Sequence, residues 1–111
     1  MMMIRSVLRL KPKAGRHHDV INLFERRKIL ARSLAIPGCL GGELGIAVPG
    51  NEEILATALW ASYSAYEGWL ASDGRANDVA ELMPMLVDGP DAISSTAIFE
   101  IALSDPPSTK E

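Results

Sequence analysis

Ile4, Ser6, Leu8 and Leu10 alternate with Met3, Arg5, Val7 and Arg9, a period of two that predicts a strand over residues 2–10. The run at 11–15, Lys-Pro-Lys-Ala-Gly, closes it. Over 16–35 the period changes. Val20, Leu23, Phe24, Leu30 and Leu34 recur at threes and fours, with Glu25, Arg26, Lys28 and Arg32 off the stripe, which predicts one amphipathic helix. Ile36-Pro37-Gly38 stops it, because proline cannot extend the hydrogen-bond ladder and glycine accepts the left-handed turn that follows.

A second strand is expected over 39–48, with Leu40, Leu44, Ile46 and Val48 on one side. Its glycines at 41, 42 and 45 predict a bulge or a close backbone approach. Pro49-Gly50-Asn51-Glu52 is a hairpin signal, so strand three, 53–61, should return antiparallel beside strand two. Helix two opens near 62, with Ser62 or Ser64 as N-cap and Glu67 early in the helix, where its dipole favours a carboxylate. Asp73-Gly74 should interrupt it before Val79, Leu82, Met83 and Leu86 resume the stripe. A fourth strand follows over 92–103, its main apolar row being Ile93, Ala97, Phe99, Ile101 and Leu103. In order this is βαββαβ, a ferredoxin-like α+β domain with a four-stranded antiparallel sheet and helices on one face. Residues 1–104 form the domain and 105–111, with Pro106-Pro107, read as a disordered tail.

That architecture leaves one sheet face bare, yet strand three is apolar on both sides, with Ile54, Ala56, Ala58 and Trp60 against Leu55, Thr57, Leu59 and Ala61. A sheet wetted on one face alternates more cleanly. Burying roughly 1,000 Å² of apolar surface against a second copy would gain about 25 kcal/mol gross at ~25 cal/mol per Å². Association costs about 4–15 kcal/mol, so a homodimer through the sheet faces is expected.

Composition narrows the function. The chain has 111 residues, 48% apolar and 23% charged, with a net charge of −3. It therefore lacks the basic field of a nucleic-acid binder, and the cluster Arg26, Arg27, Lys28 and Arg32 reads as a solvated helix face. Arg5 and Arg9 interrupt the apolar start, which has no cleavage signal, and no run approaches the roughly 20 residues of a membrane span. The single cysteine, Cys39, forms no internal disulfide and reads as a packed, inert thiol, so a cytoplasmic protein is expected. His17, His18 and Asp19 diverge by about 100° per position on a helix and do not close on one ion, so no metal site is expected.

Several local runs carry a resemblance. They are Lys-Pro-Lys-Ala-Gly (11–15), Ile-Pro-Gly-Cys (36–39), Ala-Leu-Trp-Ala-Ser (58–62) and Ala-Tyr-Glu-Gly-Trp-Leu-Ala-Ser (65–72). In this order they resemble the antibiotic biosynthesis monooxygenase family of dimeric α+β barrels, over nearly all of residues 1–104. The resemblance implies oxidation of aromatic phenols or anthrones by molecular oxygen with no cofactor, neither metal nor flavin. Such chemistry needs a substrate that forms an electron-rich carbanion, a dry pocket, and polar groups to hold the developing anion.

Trp69 matches the family's pocket tryptophan on helix two. Ala65 stands where those oxygenases carry an asparagine, and no arginine follows Ala76 to match their basic residue near strand four. The candidate catalytic residues are accordingly Trp69 and Asn77, with Tyr66, Trp60, Arg75 and Ser95 as candidate substrate contacts. The related haem-degrading branch also has the helix-two tryptophan. Its strand-one asparagine and helix-two histidine are absent, which argues against haem.

Each candidate has a plainer reading. Trp60 fits core packing, Tyr66 and Trp69 share a helix face that is either core or pocket wall, and Ser94, Ser95 and Thr96 are either ligand hydroxyls or a solvated edge. The functions left open are an oxygenase of a small aromatic or quinol-type molecule, a non-catalytic domain binding a small aromatic or apolar ligand, and an isomerase or cyclase, for which Glu43 and Glu67 are acid–base candidates by type only.

Overall fold

Strand β1 (Ile4–Leu10) lies at the sheet centre between β3 (Ile54–Trp60) and β4 (Ala97–Glu100), and β2 (Cys39–Ile46) pairs outside β3, giving the order β2-β3-β1-β4. Every pairing is antiparallel. The computed structural model describes residues 2–50, 52–89, 91 and 96–105. The expected βαββαβ order and four-stranded sheet are present, with each helical arm divided. Helices α1 (His17–Arg26) and α2 (Ile29–Leu34) follow β1, and α3 (Tyr63–Leu70) and α4 (Arg75–Leu82) follow β3, with a 3₁₀ turn at Met83–Met85. No helix among the described residues is long and apolar enough to cross a membrane.

The register fixes the two faces. Ile4, Ser6, Leu8 and Leu10 stand opposite Trp60, Ala58, Ala56 and Ile54, so these alternate residues point the same way. Val20, Leu23 and Phe24 of α1, Ile29 of α2, Ala65, Tyr66 and Trp69 of α3 and Leu82 of α4 close over that face as the core. The other face carries Val7, Leu55, Thr57, Leu59, Ala97 and Phe99 together with Arg5, Arg9 and Glu43, and no helix among the described residues covers it. Leu55 and Phe99 are 37% and 56% exposed there.

Three expectations are corrected. The helix over 16–35 is broken at Lys28, whose φ of 54° is left-handed. The break resets the helical phase, so Ile29 and Ser33 turn inward and Leu34, expected in the stripe, is exposed. Strand two stops at Ile46, leaving Val48 exposed before the cis Val48–Pro49 bond. Strand four among the described residues is Ala97–Glu100, and it is Ile98 that packs on the core while Ala97 and Phe99 of the apolar row face outward. The bulge read from the glycines of strand two is present between Cys39 and Gly41.

Candidate active site

A cavity of about 90 Å³ lies between the helix-side face of β1 and β3 and the helices α2, α3 and α4. It exists because the strands offer small side chains there, Ser6, Ala56 and Ala58, while large aromatic rings come from the strand end and from α3. Trp60 is fully buried, and its indole Nε1 donates to Ser6 Oγ at 3.0 Å. Tyr66 meets Trp60 edge to face at 5.7 Å between ring centroids, a favoured aromatic geometry. Ser62 Oγ accepts from the Ala65 amide and caps α3, which sets the start of that helix and so the direction of Tyr66 and Trp69.

The fourth wall is charged. Arg75, Asp78, Val79 and Leu82 occupy one face of α4 at intervals of three and four and all line the cavity. Asp78 is 5% exposed and accepts from Arg27 Nε at 2.5 Å and from Arg32. Arg27 Nη1 also donates to Glu81 at 2.9 Å, which ties α4 to the segment joining α1 and α2. The guanidinium carbons of Arg32 and Arg75 lie 5.7 and 5.9 Å from the Trp69 ring centroid, within cation–π range. Burial pushes the Tyr66 hydroxyl above the usual phenol range, against the opposing pull of Arg75 and of a hydrogen bond with Thr96. Tyr66 is therefore a neutral hydrogen-bond donor at ordinary pH.

Of the residues singled out from sequence, Trp60, Tyr66, Trp69 and Arg75 come together around this cavity. Asn77 does not. Two positions from Arg75 is about 200° around a helix, and Asn77 is exposed. Ser95, with Ser94, lies outside the described residues, while neighbouring Thr96 lines the cavity. Glu43 and Glu67 are exposed and away from it. Ala65 packs beneath the Gly38 turn so closely that a Cβ on Gly38 would sit 2.6 Å from that of Ala65, and Gly38 has a φ of 92°. A small residue at 65 is what lets this turn approach α3.

Sequence reasoning missed Ser6, Ser33, Arg32 and Asp78. The signal was present as polar residues in apolar register, Ser6 within the strand-one row and Asp78 three positions from Arg75 and four before Leu82. A wider groove of about 530 Å³ between α1, α2 and β2 is lined mainly by aliphatic side chains with Glu25 and Lys28, and the cluster of aromatic and polar groups is elsewhere. Among the described residues no three His, Cys, Asp or Glu side chains are grouped to hold a metal ion.

Among solved structures, the chain is similar to SnoaB, a cofactor-independent oxygenase from Streptomyces nogalater solved as a variant, with a TM-score of 0.77 at 16% identity over 96% of this chain and 100% of that one. It is similar to Rv0793 from Mycobacterium tuberculosis, with a TM-score of 0.72 at 17% identity over 96% and 99% of the two chains. A conserved protein from Methanosarcina mazei gives a TM-score of 0.72 at 18% identity over 91% and 92%. At such identities these likenesses establish the fold. No curated protein matches the chain by sequence. The model of the family described as antibiotic biosynthesis monooxygenase matches residues 3–77. That match spans more than half of the sequence, and the chain belongs to the antibiotic biosynthesis monooxygenase family.

Proposed function

We propose that the protein is a cofactor-independent monooxygenase of a small aromatic or quinol-type molecule, working in the cytoplasm as a homodimer of the 1–104 domain. The observation that carries this reading is the convergence of Trp60, Tyr66, Trp69 and Arg75 on one largely apolar cavity. Aromatic walls favour a flat substrate, and the Arg75 guanidinium and Tyr66 hydroxyl suit the anion left when the substrate loses a proton. In the overall reaction the substrate gives up four electrons and two protons to O₂, with no external reductant. One oxygen atom enters the ring as a carbonyl and the other leaves as water. Asn77, on the far side of α4, has no part in this scheme.

The test is oxygen uptake with a panel of anthrone- and quinol-type substrates after chelator treatment. Uptake that persists in chelator and is lost in Trp69→Phe supports the reading, and no turnover across the panel overturns it.

One observation favours a second reading, a non-catalytic binding domain. The cavity volume of about 90 Å³ lies under the roughly 300 Å³ at which small-molecule sites usually begin. Native mass spectrometry that finds a retained metabolite, with no oxygen uptake, would select it.

A further inference from the structure

Arg75, which lines the cavity, differs from the two arginines behind its wall. Arg27 and Arg32 share the Asp78 carboxylate, and Arg27 also holds Glu81. Arg75, half-buried at the cavity wall, has no ion pair with any described residue. Its contact with Trp69 engages the face of a ring, so the planar fork of N–H donors is left for another group. A partly desolvated guanidinium facing an apolar cavity calls for an anion, and a carboxylate matches that fork with two parallel hydrogen bonds. Among the described residues the one acid on the cavity wall, Asp78, already has two arginines.

Size fixes the remainder of the ligand. A cavity of roughly 150 Å³ is known to hold a benzene ring, so about 90 Å³ is tight even for one ring, and a fused polycyclic skeleton exceeds it.

We propose that the cavity binds a single-ring aromatic carboxylate, its ring against Trp60, Tyr66 and Trp69 and its carboxylate on the Arg75 guanidinium. The proposal rests on the reading that this cavity is the ligand site, and it narrows that site to acids of one ring.

The chain contains two tryptophans, and both line the cavity, so intrinsic fluorescence reports its occupancy. The probes are benzoate, its neutral isostere benzamide, and anthracene-9-carboxylate, which keeps the acid and adds two rings. Benzoate should give a saturable change and bind about tenfold or more tightly than benzamide, the scale of one set of charge-assisted hydrogen bonds. Arg75→Gln should bring the two within about twofold by weakening benzoate alone, and Arg75→Lys, which keeps the charge without the fork, should fall between. Lys13→Gln, at an exposed cation away from both the cavity and the open sheet face, should leave the preference intact.

Equal binding of benzoate and benzamide, no saturable response to benzoate, or a preference that survives Arg75→Gln would overturn the proposal. Tighter binding of the three-ring acid would overturn its size limit. Oxygen uptake is not read here. Benzoate preference without turnover leaves this proposal standing and the oxygenase reading fallen, and turnover of neutral aromatics without that preference does the reverse.

Discussion

The Asp78 carboxylate accepts from Arg27 and Arg32 while keeping only 7% of its side-chain surface in water. Removing one partner of a buried ion pair leaves the others desolvated and uncompensated, a loss of about 3–5 kcal/mol when all are fully buried. Here the two arginine side chains retain 21% and 31% exposure, so Asp78→Ala should destabilise the fold by about 2–4 kcal/mol in urea unfolding. A loss under about 1 kcal/mol would mean that the cluster behaves as a solvated surface pair. Tyr66 gives a pH prediction. Its folded-state pKa is raised, chiefly by burial, so its contribution to stability is complete below the ordinary phenol value of 10.0 and is lost as pH rises through the higher folded value. In Tyr63→Phe, where Tyr66 is the remaining tyrosine, tyrosinate absorbance should rise with a midpoint above 10.0, and a midpoint at or below it would contradict the burial argument.

The break between α1 and α2 turns on Lys28, whose left-handed backbone costs an L-residue about 1–2 kcal/mol relative to glycine. Lys28→Gly should therefore stabilise the protein by about 0.5–1 kcal/mol, after allowance for glycine's greater freedom in the unfolded chain. In the continuous helix that the periodicity of 16–35 suggests, the same change would cost about 1 kcal/mol, so the sign of the shift in urea midpoint decides between them. This element shows where sequence pattern stops being informative. The spacing of Val20, Leu23 and Phe24 names the buried face of α1 correctly, because one helical turn fixes it. Nothing in the spacing of Leu30 and Leu34 reveals a reset of phase, since a single left-handed residue is a tertiary compromise. Strands β1 and β3 were legible for the opposite reason, as a period of two tolerates no slip without turning every side chain over. At the site, the aromatic residues announced themselves by type. The Asp78 cluster did not, because its partners Arg27 and Arg32 are 51 and 46 positions away in sequence and read there as a solvated basic face.

In an isolated chain the sheet face away from the helices leaves Leu55 and Phe99 in water. Val7, Thr57, Leu59, Leu55 and Phe99 lie on it, Arg5 of the central strand stands between Leu59 and Phe99, and Arg9, opposite Leu55, donates through Nη2 to Glu53 at 2.9 Å. Aliphatic and aromatic side chains interspersed with arginine are a composition found in protein–protein interfaces. A contiguous apolar patch left in water also invites association of some kind. A second copy can present the same patch about a twofold axis, which closes the contact after two chains. Light scattering at micromolar concentration should then give twice the chain mass of 12.0 kDa. Leu55→Asp puts a carboxylate onto this face without touching the helix-side core, so it should yield a folded single chain with an unchanged far-ultraviolet spectrum. The cavity lies on the other side of the sheet, so benzoate binding in that variant distinguishes two roles for the dimer. Retained binding would place the whole site within one chain, and lost binding in a folded monomer would mean that the pairing of sheets holds β1 and β3 at the spacing the cavity needs. The location of Ser6, Ala56 and Ala58 within strands whose opposite faces would meet a second copy favours the second outcome, because a sheet covered on both faces would be stiffer than one wetted along Leu55 and Phe99.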